Sequence, residues 1–131
     1  MWLGLAYCTG PVDAHGYRKT AVQSAQAALN AVRTGALAAD AQLLDPYAST
    51  LLGDQLGAVA AAQEQLLAEP PPDSGTRNVR DQLLPLLNGS AVQLGDLAYA
   101  MSTGDLAAVR AHQEQLRRLG DQLDDFVERY R

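Results

Sequence analysis

The sequence predicts an all-α protein, an antiparallel up-down-up-down four-helix bundle whose third helix is kinked or broken near Pro85. Three observations predict it. Apolar residues recur at three- and four-residue spacing through four long stretches, which is the period of a helix with one buried face. Those stretches are separated by helix-stopping punctuation, above all the run Pro70, Pro71 and Pro72. Apolar residues make up 47% of the chain but aromatics only 5%, so the core is built from Ala, Leu and Val, side chains that let helices pack closely. At 131 residues the chain is one domain's worth, and folding removes roughly two-thirds of its surface from water.

The first helix is expected to start near Asp13 to Tyr17 and run to about Ala39, with Ala21, Ala25, Ala28, Val32, Ala36 and Ala39 on its buried face. Asp45 followed by Pro46 reads as an N-cap with proline at the first helical position, which opens a second helix lasting to about Glu69. Its stripe is Leu52, Leu56, Val59, Gln63 and Leu66. Beside the stripe, Gly53 and Gly57 form a small-residue pair through which the alanine-faced first helix is expected to approach closely. After the proline turn, Asp73 or Ser74 caps a third helix carrying Val79, Leu83, Leu86, Leu87, Leu94, Leu97 and Met101.

Pro85 sits inside that third helix. It removes the hydrogen bond to the Asp81 carbonyl and costs ~3 kcal/mol unless the helix bends, and Asn88 and Gly89 just downstream tolerate irregular backbone. The expected kink or break lies between Leu84 and Ser90 and opens there either a groove for a partner or a mouth to the core. In the fourth helix, Ser102 and Asp105 resemble a capping box. Val109, His112, Leu116, Leu119, Leu123, Phe126 and Tyr130 then follow at alternating spacings of three and four, a seam over three heptads. Connections of about five to seven residues suit antiparallel neighbours.

Charge narrows the function. The net charge is −5, and the only lysine is Lys19. Nucleic acid binding depends on clustered Lys and Arg releasing counterions, and the sequence has no such stripe, so no nucleic acid partner is expected. Arg117, Arg118, Arg129 and Arg131 near the C-terminus are interleaved with Asp121, Asp124, Asp125 and Glu128 and read as a solvated, ion-paired face.

Residues 1–16 read as an N-terminal tail, a signal remnant and a tether, and residues 17–131 as the single domain. A short apolar run leads to Cys8, the only cysteine. Leu5, Ala6, Tyr7 and Cys8 stand where a bacterial lipoprotein signal places Leu, two small residues and the lipid-bearing cysteine. Tyr7 is bulkier than that pattern uses, and no basic segment precedes the run. Either the start lies upstream and Cys8 receives a lipid, or Cys8 is a free thiol in a tail. If it is lipidated, Thr9 to Gly16 forms a tether spanning at most ~28 Å.

The residues offer little for catalysis. A di-metal bundle needs Glu-x-x-His motifs, and neither His15 nor His112 has Glu three positions before it. Haem would need an axial ligand such as His112 or Met101, but no aromatic-rich pocket accompanies them. No Gly-x-Ser-x-Gly turn or phosphate loop is present, and the consecutive Asp124 and Asp125 point in different directions from a helix. No cofactor or metal is expected, and the chain reads as a non-enzyme. Two polar residues interrupt apolar stripes, His112 and Gln63, and they could meet as a buried pair that fixes register. Tyr17, Tyr47, Tyr99 and Tyr130 are expected to cap the core with their hydroxyls in water.

The runs Gly16-Tyr17-Arg18-Lys19-Thr20-Ala21, Asp45-Pro46-Tyr47-Ala48 and Pro71-Pro72-Asp73-Ser74, with the ending Leu123-Asp124-Asp125-Phe126-Val127-Glu128, resemble an uncharacterised family of exported actinobacterial proteins. Members carry a lipoprotein-like N-terminus followed by a four-helix region. The resemblance implies an envelope location, no defined activity, and one functional residue, Cys8. The expected function is that of an interaction or accessory subunit in a membrane assembly, with a protein partner in the cell envelope and the membrane reached through a lipid on Cys8. The alternatives are a small-molecule or haem carrier and an extracytoplasmic sensor. The carrier would have His112 or Gln63 facing an apolar pocket. His112, Gln63 and Pro85 are the candidate interaction or polar core residues.

Overall fold

The computed structural model describes residues 13–41 and 51–131. Among these, the chain forms four helices and no strand: α1, Ala14–Ala41; α2, Leu51–Leu67; α3, Ser74–Thr103; and α4, Leu106–Tyr130. The expected start of α2 at Asp45 and Pro46, and Tyr47, fall outside the described residues.

The starts of α1, α3 and α4 each have a chemical reason. Asp13 caps α1, its carboxylate accepting from the Gly16 amide at 2.6 Å while its carbonyl accepts from Tyr17. Residues 14–16 are therefore helical rather than tether, and only 9–13 separate Cys8 from α1. Asp73 caps α3 in a reciprocal box with Thr76: the Asp73 carboxylate accepts from the Thr76 amide at 2.8 Å, and the Asp73 amide donates to the Thr76 hydroxyl. Those hydrogen bonds favour the ionised form and hold the Asp73 carboxyl below its ordinary pKa.

The turn between α3 and α4 differs from the sequence reading. It consists of Gly104 and Asp105 alone. Gly104 takes φ 72°, a left-handed conformation open to glycine, and its amide and that of Asp105 return to the carbonyls at the end of α3. Asp105 is itself the cap of α4, accepting from the Ala108 amide at 3.1 Å. Ser102 belongs to α3 and donates to the Tyr99 carbonyl, so the expected Ser102 box does not form.

α3 runs unbroken through Pro85, so of the two expected alternatives, a kink or a break, the break does not form. Pro85 lies on the exposed face, where its ring meets solvent, while Leu83 and Leu87 on either side are fully buried and hold both halves of the helix to the core. Burial of a leucine is worth ~2 kcal/mol, so the buried leucines of α3 outweigh one lost backbone hydrogen bond.

The helices pack antiparallel in chain order around a square. α1 and α3 approach across its short diagonal, while among the described residues the backbones of α2 and α4 stay apart across the long one. Cross-links place the ends. Gln63 in α2 bonds Asn88 in α3, Arg129 at the end of α4 bonds Gln82 near the start of α3, and Gln113 early in α4 bonds the Ala36 carbonyl late in α1. The core is aliphatic as expected, with Ala21, Ala25, Ala28, Val32, Ala36 and Ala39 of α1 all buried.

The close approach sits elsewhere than expected. Gly53 and Gly57 are exposed, and a Cβ added at either would meet nothing within 4 Å. It is Gly35 of α1 that admits its neighbours: a Cβ there would lie 2.5 Å from Leu94 Cδ2, 3.4 Å from Leu52 and 3.5 Å from Leu116. Leucines from three helices converge on the space that glycine leaves.

Tyr17 also departs from its expected role. It is fully buried, and its hydroxyl has no hydrogen-bond partner among the described residues. Burial is the main cause that pushes its pKa above the ordinary 10.0; Asp81 and Glu69 add to it and Arg80 opposes. Because the folded value lies above the unfolded one, this contribution to stability is intact below about pH 10 and is lost as pH rises through the folded value. Tyr17→Phe is expected to raise stability at neutral pH by about 1 kcal/mol, by removing an unpaired buried hydroxyl, and to weaken the alkaline decline. Urea titrations at pH 7 and above pH 10 check both parts.

Candidate functional site

The structure separates the polar residues expected to meet. Gln63 donates to Asn88 at 2.5 Å on the α2 side of α3. His112 is half-buried on the other side of α3, its Nδ1 2.7 Å from Gln93 Oε1. They form two rim hydrogen bonds and not a buried pair. Pro85 is exposed, and neither of the two grooves described below is lined by Pro85, His112, Gln63 or any residue from Leu84 to Ser90. Cys8 lies outside the described residues.

The buried polar residue of α4 is instead Gln113, one position further on. Its amide donates to the Ala36 carbonyl at 2.8 Å and to Asp40 Oδ1 at 2.7 Å. Asp40 in turn pairs with Arg117 at 3.6 Å, and Glu114 lies near both Arg117, at 4.0 Å, and Arg118, at 3.8 Å. The signal for this was in the spacing. Val109, Gln113, Leu116, Gly120, Leu123 and Val127 form a second three-and-four series that shares Val109, Leu116 and Leu123 with the expected one.

Beside this network runs a groove of about 420 Å³ between α1 and α4. Val32, Ala36, Leu116 and Gly120 form its floor, and Arg33, Asp40, Arg117 and Asp121 its charged rim. Gly120 keeps the floor low: a Cβ added there would just touch Val32, Arg33 and Leu29 at 3.7 to 3.9 Å. Leu37 stands at the groove's edge, 67% exposed. An apolar floor with charged edges can take the apolar stripe of an amphipathic helix, whose flanking charges then meet the rim.

A second groove, of about 490 Å³, lies at the end of the bundle where α1 starts and α4 finishes. It is lined by His15, Arg18, Lys19, Val22, Gln23, Tyr130 and Arg131. Tyr130 is half-buried, and its ring packs against Phe126 at 4.7 Å. Among the described residues, no acidic side chain lines this groove, in a chain whose net charge is −5.

Among the described residues, no three His, Cys, Asp or Glu side chains are grouped to hold a metal ion, and no helix is long and apolar enough to cross a membrane. No protein-family model, curated protein or solved structure matches the chain.

Proposed function

We propose that the chain is a non-enzymatic four-helix module, tethered to the outer side of the cytoplasmic membrane by a lipid on Cys8, that acts as an interaction or accessory subunit of a larger envelope assembly. The observation that supports this best is the α1/α4 groove, with its apolar floor, its charged rim and the exposed Leu37 at its edge. Four more large apolar side chains, Leu51, Val92, Tyr99 and Leu106, are exposed in the same half of the bundle, away from the end to which the Cys8 segment attaches. A tether at one end and a docking surface toward the other suit a subunit held at a membrane and presented to a partner. The resemblance of the N-terminal segment to a lipoprotein signal supports the same reading.

The test is capture from detergent-solubilised envelope, with intact mass measured on the membrane-fraction protein. Wild type is expected to carry the lipid on Cys8 and to retain a defined partner. Leu37→Glu is expected to lose that partner by at least tenfold. Leu67→Glu, at a residue 60% exposed toward the other end of the bundle, is expected to keep it. Unmodified protein found wholly in the cytosol with Met1 retained would overturn the assignment, as would equal capture by both variants.

A further inference from the structure

The groove at the start of α1 is built for an anionic surface. Four side chains that carry or can accept positive charge line it, His15, Arg18, Lys19 and Arg131, and Val22 and Tyr130 are its apolar members. Arg131 has a partner in Glu128. Arg18 and Lys19 make no ion pair within 4.0 Å among the described residues, whereas Arg33, Arg80, Arg117 and Arg118 each have a carboxylate that close. Arg18 does act at longer range on Asp73, a minor influence beside the Thr76 hydrogen bonds.

Asp13 accepts from the Gly16 amide, and Glu128 is held by Arg131. Unpaired cations over a partly apolar hollow match the chemistry of an amphiphile, phosphate outward and hydrocarbon inward, better than that of a free ion. Tyr130 adds an aromatic ring of the kind that sits well at headgroup level. The net charge does not cancel this, because charges beyond about 8 Å are screened at physiological salt and the groove's own cations dominate locally.

Position agrees with chemistry. Only residues 9–13 stand between Cys8 and the first turn of α1, at most ~18 Å of chain. A lipid on Cys8 would hold this end of the bundle, and no other, against the bilayer.

We propose that His15, Arg18, Lys19, Tyr130 and Arg131 form a docking surface for the headgroups of an anionic phospholipid bilayer. It orients the bundle with the start of α1 down and the α1/α4 groove toward the envelope. The orientation rests on the tethered reading of Cys8; headgroup binding does not, and it is tested without the lipid.

Unacylated full-length protein is mixed with vesicles of phosphatidylglycerol and phosphatidylcholine, or of phosphatidylcholine alone, at about 50 mM salt, and bound protein is measured by sedimentation. Binding to the anionic vesicles only, weakening as salt is raised, is the expected result. Each basic residue near such a surface is worth ~1 kcal/mol, about fivefold, so Arg18→Gln with Lys19→Gln is expected to lower partitioning about 25-fold. Arg117→Gln with Arg118→Gln, which removes the same charge from the other half of α4, is expected to change it less than twofold. Circular dichroism checks that both variants are folded.

Equal losses in the two double variants would mean that net charge and not this groove drives binding, and would overturn the proposal. So would equal binding to the two kinds of vesicle. Displacement from the vesicles by millimolar inorganic phosphate, at an ionic strength matched with chloride, would overturn it in favour of a free-anion site. Failure of lipidation at Cys8, read by mass, leaves the vesicle result standing and removes only the orientation.

Discussion

Leu116→Ala is expected to lower the stability of the bundle by about 2–5 kcal/mol, one of the two largest effects we anticipate from a single substitution. Leu116 is fully buried, at the point where α4 faces α1, and lies within reach of the space above Gly35 that Leu52 and Leu94 also enter. Truncation removes about three carbons from the core and leaves a hole that rigid helices on either side cannot collapse into. Arg118, two positions on, is exposed, and its ion pair with Glu114 contributes at most ~1 kcal/mol, so Arg118→Ala serves as the comparison. Denaturant titration of both variants measures the difference. Equal midpoints would mean that Leu116 does not face the core.

The second large effect has the opposite sign. Pro85→Ala is expected to raise stability by about 2 kcal/mol. The substitution restores an amide that can donate to the Asp81 carbonyl and removes the ring clash one turn back, together worth ~3 kcal/mol, while a freer unfolded chain takes back about 0.4–1 kcal/mol. Because Pro85 faces solvent, no core contact is lost. The same variant separates architecture from function. Partner capture from envelope is expected to persist, since neither groove includes Pro85. Lost capture in a folded, stabilised variant would return the site to the Leu84 to Ser90 segment.

The fourth helix shows how far a pattern can be read and where it stops. Val109, Leu116 and Leu123 recur every seven residues, and each is buried as the sequence indicates. Between them, a series of three-and-four steps can be completed in two ways, through His112 and Leu119 or through Gln113 and Gly120. Apolarity favours the first. The structure uses both, because α4 packs against two neighbours: His112 and Leu119 turn toward Gln93 and Gly89 of α3, Gln113 and Gly120 toward α1.

The spacing held both series, but a one-dimensional stripe does not say that the helix has a second neighbour, so Gln113 and the groove over Gly120 were passed over. The basic groove was hidden for a related reason. Arg18 and Lys19 are separated from Arg131 by the whole length of the chain, and only the antiparallel return of α4 brings them together. At Pro85 the sequence left a kink or a break open, and the buried leucines on either side keep the helix continuous.

The wide backbone separation of α2 and α4 has a consequence for how the molecule opens. Among the described residues α1 and α3 each pack against three helices, α2 and α4 against two, and α2 is the shortest helix described. Its departure would break its two interfaces while leaving α1, α3 and α4 in mutual contact as a three-helix remnant. Opening of this kind is sub-global and costs less than complete unfolding, so amide protons of α2 should exchange with solvent ahead of those in the other helices. The bundle is then a three-helix kernel with one detachable leaf, and that leaf carries the exposed pair Gly53 and Gly57 on its outer side.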